Sequence, residues 1–347
     1  MRKIEYPEPL QKGGRIVVNA PSSGVTIDWK AYMDQAKRNV EAAGYEVSIS
    51  DSVWSNVQLT SAPKEMRAKE MQQLLQDRSV QAIVPVWGGE FLFEILPLLD
   101  WERLRKEEAK WVLGYSDLTT FCFVYTLLTG RASAHGNNFF DLGTTPWDLL
   151  TRRWVDVLGT AAGESVVQHS SERYQTHFSR KNPDDPFRLN EQTEWKWLGQ
   201  EQNRAALVRF SGRLLGGCLE ILRSLVGTSY APVQKFVDEH CAGEGVIWYL
   251  ESSEINAAEI YRSLWQMREA GWFQGAKGFL IGRARGNLDV ADFRYQDALH
   301  RALDELQLPV IYDVDVGHLP PQMILVNGAL AHVQVGQGRG TVEMVYR

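Results

Sequence analysis

Trp111-Val112-Leu113-Gly114-Tyr115-Ser116-Asp117-Leu118 is a short apolar run that enters a sharp turn at Gly114 to Asp117 and leaves into a second apolar run, Leu118 to Leu128. A strand, a tight turn and a helix in that order make one unit of a parallel sheet covered by helices. Reading back from this unit, the same alternation fills the first 140 residues or so. Arg15 to Ala20 reads as a strand ending in Pro21, Ser22, Ser23 and Gly24. Trp29, Tyr32, Met33, Ala36, Val40 and Ala43 then follow helical spacing, with Gly44 placed to stop the helix. Tyr45 to Ile49 is the next strand, Pro63 to Gln76 a helix, and Val80 to Val86 a strand. Gly88-Gly89 and a helix through Phe91 to Leu99 complete the repeat of the pattern.

Reading forward, periodicity breaks down between about 165 and 205 into a polar stretch with two prolines. Unstructured stretches of this length are usually linkers or functional loops. Beyond it the α/β pattern resumes. A Gly-rich helix start covers Gly212 to Leu225, strands cover Val246 to Leu250, Gly278 to Gly282 and Val310 to Val314, and helices cover Ala257 to Ala270 and Phe293 to Leu306. Alternation from Ala329 to Tyr346 reads as a closing hairpin. At 347 residues, and roughly 150 residues per domain, two domains with separate cores are expected. The division is 1–165 for a first α/β domain, 166–205 for linker and substrate loop, and 206–347 for a second α/β domain.

Composition narrows the function. Hydrophobic residues are 44% and charged residues 23%, as in ordinary globular chains. Lys plus Arg number 37 against 43 Asp plus Glu, a net charge of −6 with no basic tract, which disfavours nucleic-acid binding. Cys122, Cys218 and Cys241 lie far apart without a CxxC spacing, so neither a disulfide framework nor a structural zinc site fits. The start of the chain lacks the apolar run of a signal peptide, and no stretch of about 18 apolar residues follows, so a cytoplasmic protein without a membrane partner is expected. No GxGxxG, Walker, HExxH or EF-hand pattern supports a cofactor or metal.

Ser116 in its strand-to-helix turn is the sharpest chemical feature, because such an elbow exposes a hydroxyl above the sheet edge and aims helix N-terminal amides at it. The second glycine of GxSxG is absent, Leu118 standing there, and a helix-capping serine is the structural alternative. Acyl transfer at a serine needs a base and a carboxylate that orients it. Glu251 follows the strand GVIWYL and His318 follows VIYDVDVG, so both fall at strand ends, with the site in the cleft between domains. Glu254, Asp313 and Asp315 are alternative carboxylates, and His135 is the rival base. Gly88 and Gly89 would let the backbone approach a ligand and present an amide to an oxyanion.

Together these pieces resemble the LD-carboxypeptidase family of serine peptidases, which includes the microcin C self-immunity carboxypeptidases. The motifs are PSSG at 21–24, WGGE at 87–90, GYSD at 114–117, GRLLGGCLEILRSLVGT at 212–228, YLES at 249–252 and DVDVGHLPPQ at 313–322. The resemblance implies Ser116 as nucleophile, Glu251 and His318 as its partners, and oxyanion amides at Gly89 and Asp117. It also implies a flavodoxin-like N-terminal domain, a smaller C-terminal α/β domain, no metal or other cofactor, and a homodimer. Cys218 departs from the GGN of the family's glycine-rich element and, with Gly88, is an expected substrate contact. The long connector is similar to the microcin-immunity branch, which implies a small peptide or aminoacyl-nucleotide substrate with its base stacked on Trp195, or on Trp197, with a packing role for either indole as the alternative. A murein tetrapeptide losing its terminal D-alanine is the other substrate class, and a non-catalytic small-ligand binder the other function.

Overall fold

The structure, a computed structural model, describes residues 2–177, 186–199, 207–285 and 289–347. Its first half runs β1 (Arg15–Val18), α1 (Lys30–Ala42), β2 (Glu46–Ile49), α2 (Lys64–Gln76), β3 (Val80–Ile83), α3 (Trp101–Leu104), β4 (Trp111–Val112), α4 (Leu118–Thr129), β5 (Ser133–His135) and α5 (Arg153–Gly159). Strands β1 to β4 form a parallel sheet in the order β2-β1-β3-β4. This is the flavodoxin-type order, in which the crossover direction reverses between β1 and β3 and leaves a crevice at their C-terminal ends. Helix α1 covers the sheet with the residues its periodicity marks, Tyr32, Met33, Ala36 and Val40. Where a helix is expected over Phe91 to Leu99, Leu92–Leu98 is a 3₁₀ helix containing Pro97, a residue that cannot donate an α-helical hydrogen bond.

The second half runs β6 (Ser165–His169), β7 (Arg173–Tyr174), β8 (Glu191–Gln192), β9 (Lys196–Trp197), β10 (Val208–Cys218), α6 (Leu219–Leu225), α7 (Val233–His240), β11 (Val246–Glu251), α8 (Ala257–Glu269), β12 (Ala276–Gly282), α9 (Tyr295–Leu303), β13 (Val310–Val314), β14 (Leu325–Asn327), β15 (Leu330–Gly336) and β16 (Arg339–Val345). Eight of these strands form one sheet, β6-β16-β15-β10-β11-β12-β13-β9. Its centre, β10 to β13, is parallel, and β15, β16 and β6 on one side and β9 on the other are antiparallel additions. The expected helix start at Gly212 is instead the long strand β10, paired along both edges, and the helix begins at Leu219. The polar connector contributes β6 and β9 to this sheet and β7-β8 as a small ribbon, while 178–185 and 200–206 lie outside the described residues.

The two halves do not have separate cores. Strand β14 from the second half pairs antiparallel with β5 from the first, Leu325 opposite His135 and Asn327 opposite Ser133. Helix α4, buried from Leu118 to Leu127, packs on β10 and α6 as well as on its own half. One apolar cluster therefore runs from Ile4 and Ile16 through Trp111, Phe123 and Trp248 to Tyr346, and a smaller one including Val17, Met71, Phe121 and Tyr125 fills the other face of the first sheet. The expectation of two separate cores fails because a largely apolar helix between the sheets is buried by both.

Phe123 of α4 stacks on Trp272 at 5.4 Å between ring centroids and lies 6.3 Å from Trp248 of β11. Phe123→Ala is expected to cost about 3–5 kcal/mol and to leave a single unfolding transition. Urea unfolding followed by far-UV circular dichroism and tryptophan fluorescence tests this, and two separated transitions in either protein would contradict the shared core.

Candidate active site

The C-terminal ends of both sheets converge on one crevice. From the first come the loops after β1, β3 and β4, carrying Ser22-Ser23, Gly88-Gly89 and Ser116-Asp117. From the second come Cys218 at the end of β10, Glu251 opposite it at the end of β11, and His318 in the loop after β13.

Ser116 has φ of +63°, a left-handed conformation unusual for a residue with a side chain. The turn is held from several directions. Gly114 N–H donates to Ala134 at 3.1 Å, Tyr115 N–H to Asn138 Oδ1 at 3.2 Å, and Thr119 N–H to the Ser116 carbonyl at 2.9 Å. Ser116 is not the helix cap, because Asp117 occupies that position, and the Asp117 carboxylate does not cap either. Buried, it accepts from Ser22 Oγ at 2.5 Å, from the Leu92 N–H at 2.9 Å and from Thr120 Oγ1 at 3.3 Å. Burial is the largest influence and raises its pKa against these bonds. Asp117 thus ties the loop after β1 and the loop after Gly89 to the serine turn.

Gly88 packs directly on the serine, since a Cβ there would lie 2.8 Å from Ser116 Cβ and 3.1 Å from the Asp117 nitrogen. Gly89, at φ of +146°, has no room for a side chain either, a Cβ falling 2.4 Å from both Ser22 Oγ and Ser23 Oγ. Among the described residues neither the Gly89 nor the Asp117 N–H donates a hydrogen bond within the protein. Both amides adjoin the contact between Gly88 and Ser116 in sequence and lack an internal acceptor among the described residues.

His318 Nδ1 is 2.8 Å from Glu251 Oε2, and the Glu251 side chain is wholly buried. Gly317 lets the loop pass this close, because a Cβ there would come within 2.6 Å of Glu251 Oε2. Burial depresses the His318 pKa, but the adjacent Glu251 charge and hydrogen bond, with help from Glu220, outweigh it and raise the net value above the usual 6.5. The imidazole lies edge-on to Tyr115, 4.8 Å between centroids, and so beside the serine turn. Among the described residues the Ser116 hydroxyl makes no hydrogen bond to His318, a contact that in ligand-free sites often forms only with substrate.

The rivals are placed otherwise. His135 is buried with no hydrogen-bond partner on either ring nitrogen among the described residues, and burial, with a smaller push from His318, lowers its pKa to about 3. It stays neutral and packs near Tyr115 and Tyr249. Asp313 pairs with Lys196 at 2.9 Å, and Glu254 is exposed and meets Glu220 through its backbone N–H. Asp315 is fully buried and accepts from the Ser171 N–H at 2.9 Å, from Trp195 Nε1 at 2.8 Å and from Arg283.

That last arrangement corrects the expectation for Trp195. Its indole is fully buried, its N–H is spent on Asp315, and Gly340 of β16 packs against its ring, so it offers no face to a nucleobase. Trp197, half-buried on β9 opposite Ile311, is a sheet-edge residue. Cys218 is corrected as well. Its buried thiol points to Glu220 Oε2 at 3.1 Å, and burial, then Glu251 and Glu220, push its pKa well up, so it is a protonated internal donor and no open substrate contact. Sequence reasoning missed Asn138, and missed Glu220 although it stands inside the motif at 212–228. Next to Asp117 a cavity of about 660 Å³ opens, lined among others by Glu90, Phe93, Thr120, Glu220 and Glu254. Among the described residues no group of three or more His, Cys, Asp or Glu is placed to hold a metal, and no helix is long and apolar enough to cross a membrane.

A serine on a left-handed strand-to-helix elbow at the C-terminal edge of a parallel sheet is the local arrangement that α/β serine hydrolases use. Residues 16–136 match the LD-carboxypeptidase N-terminal domain and residues 211–333 the LD-carboxypeptidase C-terminal domain. The chain belongs to the LD-carboxypeptidase family and is a serine-type carboxypeptidase. YocD of Bacillus subtilis is 24% identical over 355 residues, covering 97% of this chain and 98% of YocD. The microcin C7 self-immunity protein MccF of Escherichia coli is 22% identical over 91% of this chain and 89% of its own. A solved structure of MccF with aspartyl sulfamoyl adenosine superposes with a TM-score of 0.82 at 19% identity, over 98% of each chain. Muramoyltetrapeptide carboxypeptidase from Oxalobacter formigenes gives 0.73 at 19% identity, over 95% of this chain and 98% of its own.

Trp195→Phe is expected to lower stability by about 1–3 kcal/mol, because it leaves Asp315 Oδ2 short of a buried donor. It is expected to leave KM unchanged for substrates with and without a nucleobase. Thermal melts and steady-state kinetics on matched substrates check both halves, and a KM increase confined to base-bearing substrates would restore the stacking role.

Proposed function

We propose that the protein hydrolyses an amide through Ser116, His318 and Glu251. The observation that carries this reading is Ser116 at φ of +63°, packed on Gly88 and beside a histidine already bonded to a buried glutamate. Ser116 Oγ attacks the scissile carbonyl and His318 Nε2 takes its proton. Glu251, on Nδ1, fixes the tautomer and stabilises the imidazolium. The Gly89 and Asp117 amides receive the oxyanion, where each such donor is worth about 10²–10³ in rate. His318 returns the proton to the leaving nitrogen, and water then releases the acyl group from Ser116 by the same steps in reverse.

For the substrate, the favoured reading is an aminoacyl- or peptidyl-nucleotide, whose amide beside the nucleotide is cut. The support is the overlap with MccF over 98% of the chain, with a higher TM-score than the muramoyltetrapeptide enzyme gives. Trp195 lends no support, so any base must rest elsewhere. Incubation with a murein tetrapeptide and, separately, with an aminoacyl sulfamoyl adenosine, followed by mass spectrometry, decides the substrate: release of free amino acid and sulfamoyl adenosine is expected, and release of D-alanine alone would favour the murein reading.

Ser116→Ala is expected to lower kcat at least about 10³-fold without loss of fold. A variant retaining a tenth of the activity would remove Ser116 from the mechanism. Because the neutral imidazole is the base and its pKa is raised, kcat/KM should fall on the acid side through a midpoint above 6.5. Glu251→Gln should shift that midpoint downward and lower kcat by about 10³- to 10⁴-fold. A pH profile with an unmoved acid limb in Glu251→Gln would contradict the pairing.

A further inference from the structure

Glu220, in the first turn of α6, uses its carboxylate three times. Oε1 accepts from the backbone N–H of Ser253 at 2.7 Å and of Glu254 at 2.9 Å, and Oε2 accepts from the Cys218 thiol at 3.1 Å. Ser253 and Glu254 open the loop that leaves β11 just after Glu251, and Cys218 is the register partner of Glu251 on β10. One side chain therefore clips the ends of both strands together around the glutamate that holds His318. A chain connection alone would leave those two amides at the strand exit without this acceptor.

The charge on Glu220 is also spare. Among the described residues it forms no ion pair. The groups that face His318 electrostatically are Glu251 and Glu220, which favour its charged form, and Arg285 and the neutral His135, with the Tyr115 ring edge-on. The thiol between the two carboxylates stays protonated, so it bonds Glu220 without cancelling its charge.

Resting on the serine mechanism above, we propose that Glu220 is a positioning residue of the reaction, holding the loop after Glu251 in place and lending a second negative charge to the imidazolium of His318. A purely structural clip would do the first and not the second. The two are separable because glutamine keeps an acceptor oxygen for the amides while removing the charge, and aspartate keeps the charge on a shorter reach.

The test is the imidazole titration of His318 by nuclear magnetic resonance, its signal assigned with His318→Gln, read beside the acid limb of kcat/KM. In Glu220→Gln both midpoints should move to lower pH and kcat should fall about 10-fold, the low end of losses on removing a partner of an active-site ligand. In Glu220→Asp the midpoints should stay near those of the unaltered protein while kcat falls as the loop loosens. Unmoved midpoints in Glu220→Gln, or equal downward shifts in both variants, would overturn the electrostatic role. Should the glutamine variant fail to fold, an unaltered kcat in Glu220→Asp would overturn the positioning role. Ser116→Ala separates this from the mechanism: activity in that variant removes the serine reading whatever Glu220 does, whereas an inactive variant with unmoved His318 midpoints removes the Glu220 proposal alone.

Discussion

Ser133–His135 and Leu325–Asn327 are short strands far apart in sequence, and their pairing seats α4 between the two sheets with both sets of strand ends facing one crevice. Closing a loop of that length costs conformational entropy that grows only slowly with length, and the cost is offset by apolar burial along α4. The helix is apolar on nearly every side because each side meets protein. The serine turn is the N-terminal end of that same helix. Its position relative to Glu251 and His318 is thus set by core packing between the halves, with the polar contacts in the crevice adding direction rather than holding the halves together.

Within that frame three buried carboxylates are satisfied in three ways. Asp117 is surrounded by hydroxyl and amide donors and serves as a tie between loops. Asp315 faces Arg283 and the Trp195 indole and fastens the connector to the exit of β13. Glu251 has His318 on one oxygen, while its other oxygen has no partner among the described residues. A buried charge is stable only when paired or fully hydrogen-bonded. Glu251 is the least compensated of the three, and it is the one whose partner can take up a proton and so complete the pairing.

What could be read from the sequence follows from the range over which each feature is determined. The strand-turn-helix at 111–118 and the placing of Glu251 and His318 at strand ends depend on neighbouring residues, and these positions were legible. Whether Trp195 faces a ligand or the core depends on Asp315, 120 positions away, and on Gly340 of β16. A tryptophan in a polar segment looks exposed until those partners are placed. Strands β6 and β9 were invisible for the same reason, because edge strands of a few residues take their conformation from the ladder they join. Cys218 was noticed as a departure, but the residue that explains it, Glu220, stands two positions on and reads as an ordinary helix-surface glutamate.

The serine turn also shows how local strain is retained. A left-handed residue with a side chain costs of order 1–3 kcal/mol and persists only where its surroundings over-determine it. Here Asn138 receives the Tyr115 amide from one side, Gly88 presses against Ser116 Cβ from another, and Asp117 anchors the following residue to loops from two other strands. Relaxing φ at Ser116 would swing Asp117, break its bond to Ser22 and open the contact with Gly88 at once. The same couplings hold the turn against Gly88, and the Gly89 and Asp117 N–H groups make no internal hydrogen bond among the described residues. The left-handed turn and the contacts that hold it are therefore one structural state, and a change that relieves the strain breaks them together.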